Sequence, residues 1–256
     1  MDTWNPSQYD LFKKERSQPG RDLIALLEPS PGGRALDLGC GTGELTLQLH
    51  RHLQTAETLG IDRSARMLHT AQQHVAPGLR FELGDILNLP SEPKYDVIFS
   101  NAALHFLPEH PALFEFLTSR LAPQGQLAVQ VPTMESHPVH RVAKEVAREP
   151  RFAAALKGFV HQLDLPSAEV YAEMLWRLGY SRQNVRLQIY AHVLPGPESA
   201  VEWIKGTLLT AYQEKLDAAT FAEFLAEYSQ RLLAKLPAER PCFFPYQRIL
   251  IWGRRG

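Results

Sequence analysis

From residue 34 to residue 131, short apolar runs alternate with longer stretches whose apolar positions recur every three to four residues. The short runs read as strands and the periodic stretches as helices. Residues 34–38 predict a first strand, and a glycine-rich turn leads into a helix from about Glu44. Residues 57–61 predict the second strand, after which Ser64 is placed to cap a helix running to about Val75. Residues 79–83 and 95–100 predict two more strands, the latter apolar enough to be buried on both faces. A helix is predicted over 108–121, and Pro123-Gln124-Gly125 turns into a fifth strand at 126–131. Ahead of all this, residues 1–30 read as an amphipathic helical segment with Leu23, Ile24, Leu26 and Leu27 on one side. Pro29-Ser30-Pro31-Gly32-Gly33 ends it.

After Pro132 the pattern changes. Residues 133–165 predict helices with loops, 167–178 a helix that Gly179 can end, and 185–194 a strand. Residues 195–240 are again mostly helical, interrupted near Asp217, and 247–254 predict a last strand. Strands alternating with crossover helices make a parallel sheet, with the ligand crevice at the carboxyl ends of its strands. The expectation is one α/β domain over 1–256 with a doubly wound, Rossmann-like, seven-stranded and mostly parallel sheet. Its core covers about 30–131, 167–194 and 245–256, with helical cap insertions at about 132–166 and 195–240 and an N-terminal lid over 1–29.

Composition narrows the function classes. Lys and Arg number 27 against 28 Asp and Glu, for a net charge of −1, and no basic run tracks a phosphate backbone. Nucleic-acid binding is disfavoured. Two cysteines, Cys40 and Cys242, make no disulfide framework. No apolar run is long enough to span a membrane and no signal peptide is visible, so a cytoplasmic enzyme is expected.

The segment Asp37-Leu38-Gly39-Cys40-Gly41-Thr42-Gly43 carries the chemistry. Three alternate glycines join a buried strand to a helix, where positive φ and close approach of a ligand are needed. Asp62 follows Gly43 by 19 positions, where a carboxylate can accept from both ribose hydroxyls. A nicotinamide enzyme would place its third glycine at position 44, which is Glu44 here. A glutamate at a helix start also opposes a pyrophosphate. An adenosyl ligand without phosphates meets neither objection, and Asp37 can face a cationic amino group.

The segment resembles the first motif of class I S-adenosylmethionine-dependent methyltransferases. Gly60-Ile61-Asp62, Gly84-Asp85-Ile86, residues 95–102 and residues 121–127 are similar to that superfamily's later motifs. Over nearly the whole chain it resembles the trans-aconitate 2-methyltransferase family. Trp4-Asn5-Pro6-Ser7-Gln8-Tyr9, Glu15-Arg16-Ser17, Asn101-Ala102-Ala103-Leu104-His105-Phe106, Ala128-Val129-Gln130-Val131-Pro132 and residues 248–255 carry this. The resemblance implies a small carboxylic acid as acceptor, S-adenosylmethionine as cofactor and S-adenosylhomocysteine as product. It implies cofactor contacts from Asp37, Gly39, Gly41, Gly43, Asp62, Arg63, Met67, Asp85, Ile86, Asn101 and Ala102, with Trp4, Tyr9 and Arg16 helping to close the site. His105, Phe106, Trp203, Lys205, Tyr212 and Arg248 are the substrate-side candidates. In the cap, Thr210 stands where that family carries an arginine, the natural fork for a carboxylate.

Plainer readings stand beside these. Asp37, Asp62 and Asp85 are also good turn residues. Trp203, Phe106 and Tyr212 are residue types more often found in a core than in a pocket. His50 and His52 read as an exposed helix end, and His137 and His140 as surface residues with no metal expected. His105 is the one weak candidate for a catalytic base. The sequence leaves the oligomeric state open and is compatible with a monomer. Other small-molecule O or N acceptors remain open, and more remotely a nicotinamide oxidoreductase or a non-catalytic binding protein.

Overall fold

A computed structural model describes residues 13–256 of the chain, with side chains from Ser17 onward. Trp4 and Tyr9 lie outside the described residues, as does the side chain of Arg16. The chain divides into two compact units.

The first unit comprises Arg16–Pro132, Asp164–Gln188 and Arg248–Gly256. Its strands are β1 (Arg34–Leu38), β2 (Glu57–Asp62), β3 (Leu79–Leu83), β4 (Tyr95–Asn101) and β5 (Leu121–Pro132). Two long strands, β6 (Tyr180–Leu194) and β7 (Cys242–Arg255), complete a seven-stranded sheet in the order β3-β2-β1-β4-β5-β7-β6. Strands β1 to β5 pair in parallel and β7 lies antiparallel to β5. The chain winds outward from β1 to β3, then returns to β4 on β1's other side, so the switch point falls between β1 and β4. Loops diverge there and leave a crevice above the carboxyl ends.

Helices α1 (Lys13–Ile24), α2 (Glu44–Leu53), α3 (Ala65–Ala71), α4 (His110–Thr118) and α7 (Ala168–Arg177) flank the sheet. Alternate residues of each strand face opposite sides. Leu36, Leu38, Ile98, Leu127, Val129, Val131, Ile249 and Ile251 join Phe114 and Leu117 of α4 and Tyr171 and Leu175 of α7 in one core. The opposite side presents Asp37, Phe99, Asn101, Ala128, Gln130 and Leu250, which are paired in register or lie two residues apart. There α1 comes close: a Cβ on Gly20 would lie 2.5 Å from Leu45 of α2 and 3.3 Å from Cγ of Asn101. The connection from β3 to β4 holds only a three-residue 3-10 turn, Ile86–Asn88, and borders a cavity of about 380 Å³.

Several boundaries differ from the sequence expectation. Helix α4 starts at His110 because Glu109 takes a left-handed φ of 53° with a proline in the first turn. β6 begins at Tyr180, five residues before the expected start, through the exposed polar run Ser181-Arg182-Gln183-Asn184. Solvated strand residues carry no apolar signal. β7 begins at Cys242 and carries Pro245, a residue that argues against a strand because it donates no hydrogen bond.

The second unit contains Thr133–Leu163 and Ile189–Gln247. It holds α5 (Pro138–Ala147), α6 (Pro150–Ala155), α8 (Glu198–Lys205), α9 (Thr210–Gln213) and α10 (Ala218–Leu233). Trp203, Tyr212, Phe224, Tyr228 and Phe244 are among its fully buried side chains. The compact units therefore divide within β6 and β7, at 188/189 and 247/248.

The reading of His137 and His140 as surface residues is corrected here. His140 is 4% exposed, and its Nδ1 stands 3.8 Å from Glu135 Oε1. Lys144 pairs with the same carboxylate, which also accepts from Leu163 N at 2.7 Å. His137 is half-buried and caps α5 through Val139 N. Burial holds both imidazoles well below their ordinary value, although Glu135 pulls His140 the other way. His50 is likewise no exposed end: its Nδ1 bonds Thr58 Oγ1 at 2.8 Å. His52 is exposed yet bonds Leu27 O at 2.9 Å.

Candidate active site at the carboxyl edge of the sheet

The turn after β1 is held by its neighbour. Gly39 N and Cys40 N both donate to Ile61 O, at 2.9 and 3.0 Å, and Gly43 N closes the turn onto Cys40 O. Gly39 has φ +74°, and a Cβ there would stand 2.4 Å from Ala103 Cβ, so only glycine lets the β1 and β4 loops meet. Gly41 also has positive φ, but a Cβ there would meet nothing within 4 Å among the described residues. The described residues thus leave open space above Gly41, where a ligand can lie directly on the backbone.

Asp62, at the end of β2, ties two loops together. Its Oδ2 accepts from Gly41 N at 2.9 Å and its Oδ1 from Ser64 N at 2.8 Å. Ser64 caps α3 by accepting from Met67 N, which sets Met67 in the first turn. Arg63 is exposed. Asp85 Oδ1 caps the next turn through Leu87 N at 2.9 Å, with Ile86 half-buried beside it.

Asp37 is 2% exposed and accepts from Thr46 Oγ1 of α2 at 2.6 Å. Burial pushes its carboxyl up to about 7; the Thr46 hydroxyl opposes this and the Asp62 charge adds to it. A carboxylate so poised is ready for a cation.

Strand β4 ends in strain. Ala102 has φ 54°, a left-handed conformation uncommon for a residue with a side chain, and its N–H donates to Gln130 O at 3.0 Å. Beside it the Asn101 Oδ1 atom is buried with no hydrogen-bond partner among the described residues. Gln130, directly opposite Asn101 on β5, is 1% exposed, and its Nε2 is buried and equally unpartnered. Each such orphan costs on the order of 1–3 kcal/mol, so two in register at a crevice point to a ligand. Neither Gln130 nor Thr46 was singled out in the sequence. The only signal for Gln130 was one carboxamide in the apolar run Leu127-Ala128-Val129-Gln130-Val131.

The β3-β2-β1-β4 order brings Gly39, Gly41, Gly43, Asp62, Arg63, Asp85, Ile86, Asn101 and Ala102 to one edge, with Asp37 two residues before Gly39 on β1 and Met67 in the first turn of α3. His105 and Phe106 follow on a single turn, their rings 4.0 Å apart, with Phe106 49% exposed. The other substrate-side candidates are divided between the two compact units. Arg248 is 7% exposed on β7, opposite Pro132 at the carboxyl end of β5. Trp203 packs among His192, Phe244 and Tyr246 in the second unit's core. Tyr212 is fully buried there, stacked on Phe224, and its hydroxyl accepts from His161 N. Lys205 pairs with Glu202 at 2.9 Å. Thr210 spends its hydroxyl on Thr207 O. Among the described residues no group of three or more His, Cys, Asp or Glu is placed to hold a metal ion.

Comparison with known proteins bears on the chain as a whole. A family model described as a methyltransferase domain matches residues 29–174. The trans-aconitate 2-methyltransferase of Deinococcus radiodurans is 43% identical, over 99% of this chain and 98% of that protein. Its namesake from Methylobacterium nodulans is 37% identical over 100% and 99%. Among solved structures, the YcgJ protein of Bacillus subtilis matches with a TM-score of 0.60 at 18% identity, covering 92% of this chain and 97% of that one. That likeness concerns the fold.

Proposed function

We propose, from the premise that the chain belongs to the trans-aconitate 2-methyltransferase family of S-adenosylmethionine-dependent methyltransferases, that it O-methylates a carboxylate of a small organic acid. The observation that carries the reading is the Asp62 carboxylate clamping a glycine turn whose Gly41 faces open space. Those residues fit an adenosyl sulfonium. On this reading Asp62 holds the ribose hydroxyls, Asp85, Ile86 and Met67 border the adenine, and Asp37 and Asn101 meet the ammonium. Gly39, Gly41 and Gly43 let the ligand approach the backbone, with Arg63 and Ala102 at its margins. Trp4, Tyr9 and Arg16 complete this reading from the N-terminal side.

When bound, S-adenosylmethionine supplies an electrophilic methyl on sulfonium, so the acceptor oxygen gains the carbon, the sulfur keeps the electron pair and no proton moves. An acceptor acid of pKa about 4 is already ionised at neutral pH and requires no base. The protein's work is to orient the carboxylate and strip it of water. His105 then needs no proton-transfer role. The reaction is that of a cytoplasmic small-molecule enzyme, and among the described residues no helix is long and apolar enough to cross a membrane.

Titration of the protein with S-adenosylmethionine and S-adenosylhomocysteine, repeated with Asp62→Ala, tests the cofactor half. Saturable binding weakened roughly 10- to 100-fold in the variant is expected, the worth of hydrogen bonds to a charged group. No binding to folded protein would end the methyltransferase reading. A panel of di- and tricarboxylic acids with labelled cofactor tests the acceptor half. A second reading, another small-molecule O or N acceptor, is favoured by Thr210 standing in the arginine position with its hydroxyl turned to its own backbone. Turnover confined to phenols or amines would select it.

A further inference from the structure

Across the carboxyl edge the polar side chains change character in one direction. In sheet order, the turn after β3 and the strands β2, β1, β4, β5 and β7 offer Asp85, Asp62, Asp37, Asn101, Gln130 and Arg248. Three carboxylates give way to an amide acceptor, then an amide donor, then a guanidinium. Asn101 and Gln130 are cross-strand partners, and Gln130 pairs with Leu250 on β7. Arg248 is two residues from Leu250 on the same strand, so it shares that side of the sheet and stands diagonally from Gln130. All six belong to one compact unit.

The orphans agree with this direction. The atom left without a partner among the described residues is an acceptor on Asn101 and a donor on Gln130. A cationic donor molecule suits the acidic half. The opposite half offers what an anion needs. A carboxylate has two oxygens, and a carboxamide N–H beside a guanidinium can serve both, each bond strengthened by charge.

We propose that Gln130, with Arg248 beside it, is the subsite that binds and positions the reacting acid's carboxylate. This rests on the carboxylate-acceptor reading above and adds the residue that selects for it. Gln130 acts by donating its Nε2–H to a carboxylate oxygen, so its removal raises acceptor KM far more than it lowers kcat. The glutamate variant, nearly the same shape, reverses donor to anion and repels the acceptor.

The test compares wild type, Gln130→Leu and Gln130→Glu. Each is measured for cofactor affinity, thermal midpoint, acceptor KM and kcat with the best acid of the panel. Titration of that acid into protein saturated with S-adenosylhomocysteine gives a second readout independent of turnover. Gln130→Leu is expected to raise KM and the acid's Kd roughly 10- to 100-fold, with cofactor affinity within about twofold of wild type. Gln130→Glu is expected to bind the acid more weakly still, and the methyl ester, whose carbonyl oxygen accepts only a neutral hydrogen bond, to differ less among the three proteins than the acid does. Unchanged acid binding in both variants overturns the proposal, as does a loss of cofactor affinity matching the loss of acid affinity. If wild type itself binds and methylates no carboxylic acid while binding cofactor, the acceptor reading falls and takes this one with it. Failure in the variants alone leaves the acceptor reading standing.

Discussion

Asp37 joins burial to chemistry in a single carboxyl group. A folded pKa near 7 against an ordinary 3.8 means that the folded chain holds this proton where the unfolded chain has lost it. Its stability contribution is complete below the ordinary carboxylate value and is lost as pH rises toward 7. Asp37→Asn should therefore abolish that slope and stabilise the unliganded protein near pH 8, measured by denaturant titration at several pH values. A bound cation favours the charged carboxylate, so cofactor affinity should fall as pH drops below about 7 in wild type and stay flat in Asp37→Asn. Calorimetry in buffers of different ionisation heat should show proton release on binding near pH 6.5. His137 and His140 work with the opposite sign. Burial depresses both, so their contribution is present above the ordinary imidazole value of 6.5 and is lost as pH falls through their folded values. Asp37 and Asp62 were legible in the sequence because a glycine turn announces its neighbours. His140 was not, since nothing local to α5 says that Glu135 and the chain near Leu163 will bury it. Gln130 was hidden by the strand it sits in: a run read for its apolar character conceals the one polar residue within it.

At the scale of elements, the two glycines of the first turn separate fold from binding. Gly39→Ala forces a contact with Ala103 at positive φ and should destabilise the sheet unit broadly. Gly41→Ala meets only open space and bears the left-handed penalty of about 1–2 kcal/mol. Its thermal midpoint should fall by a few degrees while cofactor affinity falls at least tenfold, because the new methyl occupies the ligand's approach. Equal cofactor affinity in Gly41→Ala and wild type would remove the turn from the binding site. In the second unit, Trp203→Ala opens the centre of an aromatic cluster and should cost roughly 3–5 kcal/mol, seen as a lowered unfolding midpoint. The first five strands were legible because their crossovers alternate two clear periods. The starts of β6 and β7 were not, since a solvated polar run and a proline both suppress the strand signal while tertiary pairing keeps the strand.

At the scale of the molecule, a ligand held by four adjacent loops stabilises what they connect. Cofactor at about 100 times its Kd should add roughly 2.7 kcal/mol to the folded state, and S-adenosylmethionine should raise the unfolding midpoint accordingly. Hydrogen exchange should slow at residues 37–43, 62–67, 84–86 and 101–103 together, all at one edge of the sheet. The doubly wound, mostly parallel sheet followed from the alternation of strands and crossovers, but how the long strands are shared between two compact units did not, because nothing local marks such a division within a continuous strand. The ordering of polar groups from Asp85 to Arg248 was invisible for a related reason: it exists only once strands distant in sequence become neighbours. That ordering governs departure as much as arrival. An ester is neutral where the acid was anionic, and a thioether is neutral where the sulfonium was cationic. Each turnover therefore removes one positive and one negative charge at the reacting centre while the ammonium that Asp37 would meet is unchanged, so the guanidinium end of the row loses its attraction for the product and the acidic end keeps its hold on the spent cofactor.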